Sequence, residues 1–193
     1  MLSISAHKLY GPKGIGVLFI RPGIKIEPLI LGGGQEKQMR AGTENVPGIV
    51  GFGKAAELAQ TEMAEEADRL SRLRDTLIKY ILEKTESTRL NGHPTQRLPN
   101  NVNISFDFVE GEAICLNLDL ANICAATGSA CSSESMEASH VLLAMGLSPE
   151  IARSSLRFSL GKWSTVNDIN YVMEKLPGIV SRLRSISPLA KKH

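Results

Sequence analysis

Net charge, long apolar runs and cysteine are all scarce in this sequence. Its 22 lysines and arginines stand against 20 aspartates and glutamates, a formal charge of +2. That balance gives no global electrostatic case for nucleic acid or an anionic membrane as partner. No apolar run approaches the length of a membrane span. The opening MLSISAHK has no basic segment followed by an apolar one, so a secretory leader is not expected. Three cysteines, Cys115, Cys124 and Cys131, are an odd number and too few for a disulfide framework, so a reducing, cytoplasmic setting is expected. Their spacings match no C-x-x-C pair, which argues against a metal site. Internal repeats and low-complexity segments are also missing.

What remains is the composition of an ordinary globular protein, 42% hydrophobic and 22% charged over 193 residues, with 17 glycines and 9 prolines. That length allows one domain, or one and a half, with a sizeable core. Basic residues collect only near the end, from Arg182-Leu183-Arg184 to Lys191-Lys192, and read as a solvated tail.

Residues 2–6 and 16–21 read as short strands joined by the turn chemistry of GPKGIG. An apolar edge strand at the very start is a liability unless other chain covers it, which hints that a covering segment is missing. Residues 22–46 keep no sustained period and contain LGGGQEKQMRAGTEN, an irregular loop of a length more often functional than idle. Pro47 then opens a long helix to about Lys84, with an apolar stripe of Leu70, Leu73, Leu77, Ile78, Ile81 and Leu82. TRLNG and 99–108 are expected as strands, 111–120 as a short helix, and ANICAAT as a strand of small residues. A polar tract at 128–137 precedes a helix around 138–145 and a strand over 154–161. The last helix starts from Thr165 and is expected to kink or break near Pro177. Alternating helices and strands give an α/β or α+β class.

Two lysines stand in SAHKLYGPKGIG. A lysine does covalent chemistry when its amine forms a Schiff base on a rigid, partly desolvated anchor. Lys8 ends an apolar strand beside the hydroxyl of Ser5 and the imidazole of His7, whereas Lys13 sits at a turn tip. Most lysines are surface charges, so the residues alone favour Lys8 without settling the matter. Cys115 and Cys124 lie among apolar residues and read as small buried hydrophobes. Cys131 stands in TGSACSSESMEASH, where small polar residues promise a mobile, wet segment and a reachable thiol; an incidental thiol carries equal weight. Arg157 interrupts an apolar strand: facing inward it needs an anion such as a carboxylate, but an edge position facing water is the commoner case. Gly42-Thr43 offers backbone N–H groups and a hydroxyl to a phosphate, a weak signal alone.

Together these blocks resemble one family. SAHKLYGPKGIGVLFIR is similar to the cofactor-lysine segment of the NifS/IscS-type cysteine desulfurases, pyridoxal-phosphate enzymes of fold type I in the class V aminotransferase group. GGGQEKQMRAGTENVPGIVGFGKA, RLPNNVNISFDFVEGEAI, ATGSACSSESMEASHVLLAMGL and SSLRFSLGKWST resemble later blocks of that family, in the same order. The resemblance implies the C-terminal end of the large pyridoxal-phosphate domain over 1–46. Over 47–193 it implies a long linking helix and a small α+β C-terminal domain carrying the Cys loop at about 127–137. It makes Lys8 the Schiff-base residue, Ser5 and His7 contacts of the cofactor phosphate, and Thr43 a phosphate contact in the other subunit of a homodimer. Cys131 becomes the nucleophile that holds sulfur as a persulfide, and Arg157 the grip on the carboxylate of L-cysteine. L-Alanine is the implied product and an iron–sulfur scaffold the implied sulfur acceptor.

The same resemblance implies that the family's preceding half is not in this chain. That half would bring the phosphate loop, the ring stacked on the cofactor and the carboxylate at its pyridine nitrogen. Alone, the chain is therefore expected to be almost inactive, and a separate N-terminal half is an expected partner. Two other readings stand beside it: a non-catalytic sulfur-relay or scaffold-binding fragment, and another class V aminotransferase, which would not need Cys131.

Overall fold

The first strand, β1 (Leu2–Ser5), pairs antiparallel with β2 (Gly16–Phe19), Leu2 opposite Phe19 and Ser5 opposite Gly16. The computed structural model describes residues 1–128 and 138–188. Leu2, Ile4, Val17, Leu18 and Phe19 are all exposed on this ribbon. Between the strands, Ala6–Leu9 form a 3₁₀ turn closed by Tyr10 in the left-handed region at φ 61°. Residues 20–45 hold no strand or α-helix, only a second 3₁₀ turn at Glu36–Gln38, in keeping with the irregular loop expected there.

The long helix α1 spans Val46–Lys84. Its first turn is capped from outside, the Asn45 side-chain oxygen accepting from Gly48 N–H at 3.1 Å. The chain divides into two compact units, Met1–Ala64 and Glu65–His193, and the division falls inside α1. In the first unit one glycine of α1, Gly51, permits close packing. A Cβ at Gly51 would come within 2.6 Å of Pro12 Cγ, so the loop after the lysine turn lies directly on the helix backbone.

The second unit is built on a three-stranded antiparallel sheet of order β3 (Thr88–Leu90), β4 (Asn101–Phe106) and β5 (Ser155–Ser159). Period-2 alternation sends Val102, Ile104, Phe106, Leu156 and Phe158 to one face, all buried. That face joins the late stripe of α1 (Leu70, Leu73, Leu77, Ile78, Ile81) and the apolar sides of α2 (Gly111–Asp119) and α5 (Val166–Ile186) in one core. Each fully buried Leu, Ile or Phe contributes about 2 kcal/mol. Two short helices, α3 (His140–Ala144) and α4 (Pro149–Arg153), lie between the described part of the Cys-loop region and β5.

Three local expectations are corrected. ANICAAT is not a strand: Ala121 and Ile123 N–H groups both donate to Leu118 C=O, Asn122 adopts φ 58°, and only Ala126 makes a bridge. A tight turn off the end of α2 therefore wins over a weak run of small residues. The last helix does not break at Pro177; Ile169, Val172, Leu176 and Val180 bury one continuous stripe and carry α5 through it. Helix α4 was not anticipated, although Ser148 before Pro149 is a start signal, and its Oγ accepts from Ile151 N–H at 3.3 Å.

Two arginines fasten the second unit. Arg69 on α1 donates to the carbonyls of Gly161, Lys162 and Ser164, fixing the entry to α5. Arg184, near the other end of α5, donates to the carbonyls of Glu86, Ser87 and Asp107.

Candidate functional site

Each unit carries candidate residues of its own. In the first, Lys8 lies on the 3₁₀ turn rather than on β1 itself, with Ser5 at the position before the turn. The turn is pinned at both ends: Ala6 N–H donates to Ile15 C=O at 3.1 Å and Gly11 N–H to Ala6 C=O at 2.9 Å. A side chain at Gly11 would meet Ala6 and Ala55 at 3.0–3.2 Å, so the turn is pressed tightly onto α1. On this rigid anchor Lys8 and His7 are exposed and Ser5 is half-buried. Among the described residues no carboxylate pairs with Lys8. A primary amine so placed, with a hydroxyl and an imidazole in the same turn, fits an aldehyde cofactor that carries a phosphate. Thr43 is exposed in the irregular loop, after Gly42 at φ 99°, and none of the described hydrogen bonds joins it to Ser5, His7 or Lys8.

In the second unit a cleft of about 1170 Å³ opens beside the sheet. Its wall includes Asn91, His93, Asn103, Cys115, His140 and Arg157. β5 is the last strand of the sheet, yet at Arg157 its backbone is paired on both sides. β5 pairs with β4 on one side, Arg157 opposite Asn103, and on the other side Arg157 and Ala126 exchange backbone hydrogen bonds of 2.6 and 3.0 Å. The side chain is half-buried, and its Nε is fully buried with no hydrogen-bond partner among the described residues. A buried guanidinium N–H left unmatched costs about 1–3 kcal/mol, a cost an anionic ligand would remove.

The cysteines separate by environment. Cys115, half-buried on α2, donates its Sγ–H to Ala125 C=O at 3.2 Å. Burial first, and then the carboxylates of Asp119 and Glu112, pushes its thiol above the ordinary cysteine range. It stays protonated at neutral pH and is a poor nucleophile. Cys124, expected to be buried, is exposed, because the turn after α2 carries it out of the core. Iodoacetamide at pH 7.5 should label Cys124 about tenfold or more faster than Cys115, with Cys115 labelling rising only as pH climbs past the usual thiol range. Equal rates, read by mass spectrometry of the peptides, would contradict this ordering. Cys131 lies outside the described residues, five positions after Ala126 in sequence.

The sequence reading did not single out Asn91 and Asn103. The signal was present in the N-x-N-x-S alternation of β4.

The class-V aminotransferase family profile matches residues 1–172. The chain is 55% identical over 192 residues to cysteine desulfurase IscS 1 of Archaeoglobus fulgidus, covering all of this chain and 50% of that protein. It is likewise 55% identical over 192 residues to cysteine desulfurase IscS of Methanosarcina thermophila, covering 47% of it. Among solved structures, a NifS-like protein superposes with a TM-score of 0.82 at 37% identity, over 94% of this chain and 46% of that one. The NifS-like protein from Rickettsia africae gives 0.82 at 36% identity, over 93% and 47%. The chain thus spans about half the length of the relatives it matches, and by the extent of its match it belongs to the class-V aminotransferase family.

Proposed function

We propose that this chain provides the lysine, thiol and arginine of a pyridoxal-phosphate-dependent cysteine desulfurase, which converts L-cysteine to L-alanine and an enzyme-bound persulfide. The observation that carries the reading is Arg157, a cleft-wall residue of β5 bridged to Ala126, whose buried Nε has no partner among the described residues. Support for the family comes from the IscS relatives at 55% identity.

Lys8 would hold the cofactor covalently through Nζ, with Ser5 and His7 at its phosphate and Thr43 serving the phosphate of a partner subunit. When bound, pyridoxal phosphate supplies the electron sink that lets the substrate Cα–H bond break. Arg157 would orient the substrate by its carboxylate in a two-point grip. Lys8 Nζ, as a free amine, would be the natural group to take the Cα proton. Cys131 as thiolate would attack the substrate sulfur: an S–S bond forms, the Cβ–S bond breaks, and its electron pair stays with carbon and is protonated to give L-alanine. The persulfide then passes to an acceptor such as an iron–sulfur scaffold. Free thiols of this kind suit a reducing cytoplasm. We hold that efficient turnover needs more than these 193 residues, in a homodimer or with a separate N-terminal half.

The test is sulfur bookkeeping on the cysteines. After incubation with pyridoxal phosphate and L-cysteine, wild type should carry one extra sulfur on the peptide containing Cys131, formed slowly. Cys131→Ser should lose it with no compensating label on Cys115 or Cys124. Label that survives Cys131→Ser would reject this assignment of the nucleophile.

A further inference from the structure

We propose that Asn103 is a second donor to the substrate carboxylate, working beside Arg157, and that Asn91 is the positioning residue that turns its amide the right way. This rests on the reading of Arg157 as the carboxylate grip. The residues form one transverse row across the sheet. Asn91 N–H donates to Asn103 C=O at 2.9 Å, Asn103 lies opposite Arg157, and Arg157 is bridged to Ala126. Directly opposed residues in antiparallel strands share a face, with Cβ atoms about 5 Å apart. Asn103 and Arg157 accordingly line the same cleft.

Counting protons fixes which end of the Asn103 amide faces the ligand. Ser155 Oγ donates to Ile151 C=O at 2.9 Å, so its one hydrogen is committed. Ser105 Oγ has one hydrogen, to be placed on Ser155 Oγ at 2.8 Å or Asn91 Oδ1 at 3.1 Å. Both acceptors belong to the same closed cluster, in which Ser105 and Ser155 are fully buried and Asn91 nearly so. Ser155 Oγ can then only accept from Asn91, so the Asn91 amide nitrogen faces three acceptors with two hydrogens: Ser155 Oγ at 3.2 Å, Ser105 Oγ at 2.9 Å and Asn103 Oδ1 at 2.7 Å, the shortest of the three. The opposite setting of the Asn103 amide would bring two NH₂ groups face to face. With Oδ1 held this way, Asn103 Nδ2 is left as a donor, and none of the described hydrogen bonds uses it.

A carboxylate has two oxygens with about four acceptor sites, so it accepts from a guanidinium and an amide together. No carboxylate among the described residues pairs with Arg157 from the protein side, although Glu110 and Glu112 belong to the same cleft wall. The site thus presents one cationic and one neutral donor on adjacent strands. It selects for a carboxylate and against an amide at that end of the substrate.

The test uses the full chain, ¹⁵N-labelled, with L-alanine as carboxylate probe and L-alaninamide as the probe lacking the carboxylate. L-Alanine should shift both the Asn103 side-chain amide and the Arg157 Nε–H resonances, and L-alaninamide neither. Asn103→Asp keeps an acceptor for Asn91 but places a negative charge at the ligand. It should weaken L-alanine binding at least about tenfold with the urea midpoint unchanged. Asn91→Asp removes the donor to Asn103, so the Asn103 shift should vanish while that of Arg157 persists. If Asn91→Asp fails to fold, Asn103→Asp alone decides. Unaltered L-alanine affinity in Asn103→Asp, together with loss of binding in Arg157→Ala, overturns this inference and spares the carboxylate grip. Undiminished binding in Arg157→Ala, or no L-alanine binding to wild type, overturns both.

Discussion

Replacing Arg157 by alanine should weaken binding of L-cysteine or L-alanine about 100-fold, a loss of about 2.7 kcal/mol. The size follows from what is removed, a half-buried cation with an N–H that has no partner among the described residues. Arg157→Lys keeps the charge but not the planar fork, and should recover only part of the affinity. Stability should move the other way. Because Nε has no partner among the described residues, its removal relieves a desolvation cost, and the urea midpoint should hold or rise. Loss of binding without loss of stability separates a ligand group from a structural one. Isothermal titration with L-alanine, alongside urea unfolding of the same variants, gives both numbers. A fall in midpoint with binding preserved would mark Arg157 as a structural residue.

The second large effect belongs to Lys8. Lys8→Ala should abolish covalent retention of pyridoxal phosphate, the absorbance band that accompanies it, and any transfer of sulfur from L-cysteine. The turn that carries Lys8 is held by backbone hydrogen bonds at Ala6 and Gly11 and by contact with α1, none of which involves the lysine side chain. The variant should therefore fold as wild type does. Lys13, exposed in the loop that follows, has the same amine without that anchor, and Lys13→Ala should leave cofactor retention unchanged.

Much of the second unit was legible because its signals are local. The alternation of VNISF predicts β4, and the stripe from Leu70 to Ile81 predicts the buried side of α1. The site was less legible because its decisive facts are relations between strands. Nothing near Arg157 in sequence says that Asn103 lies on one side of it and Ala126 on the other, so edge and interior positions read alike. The same holds for Asn91, whose role depends on Ser105 and Ser155, 14 and 64 residues away. Cys124 misled because its apolar neighbours suggested burial, whereas the turn after Leu118 faces it outward. Pro177 misled because a missing N–H is a local cost that a long buried stripe outweighs.

The whole interpretation stands on a single amine being the one that captures an aldehyde. Borohydride reduction of the chain with pyridoxal phosphate, followed by peptide mass mapping, reads this directly. The account predicts the reduced pyridoxyl adduct on the peptide containing Lys8, and none in Lys8→Ala. An adduct spread over surface lysines, or one that persists at full yield in Lys8→Ala, would contradict it.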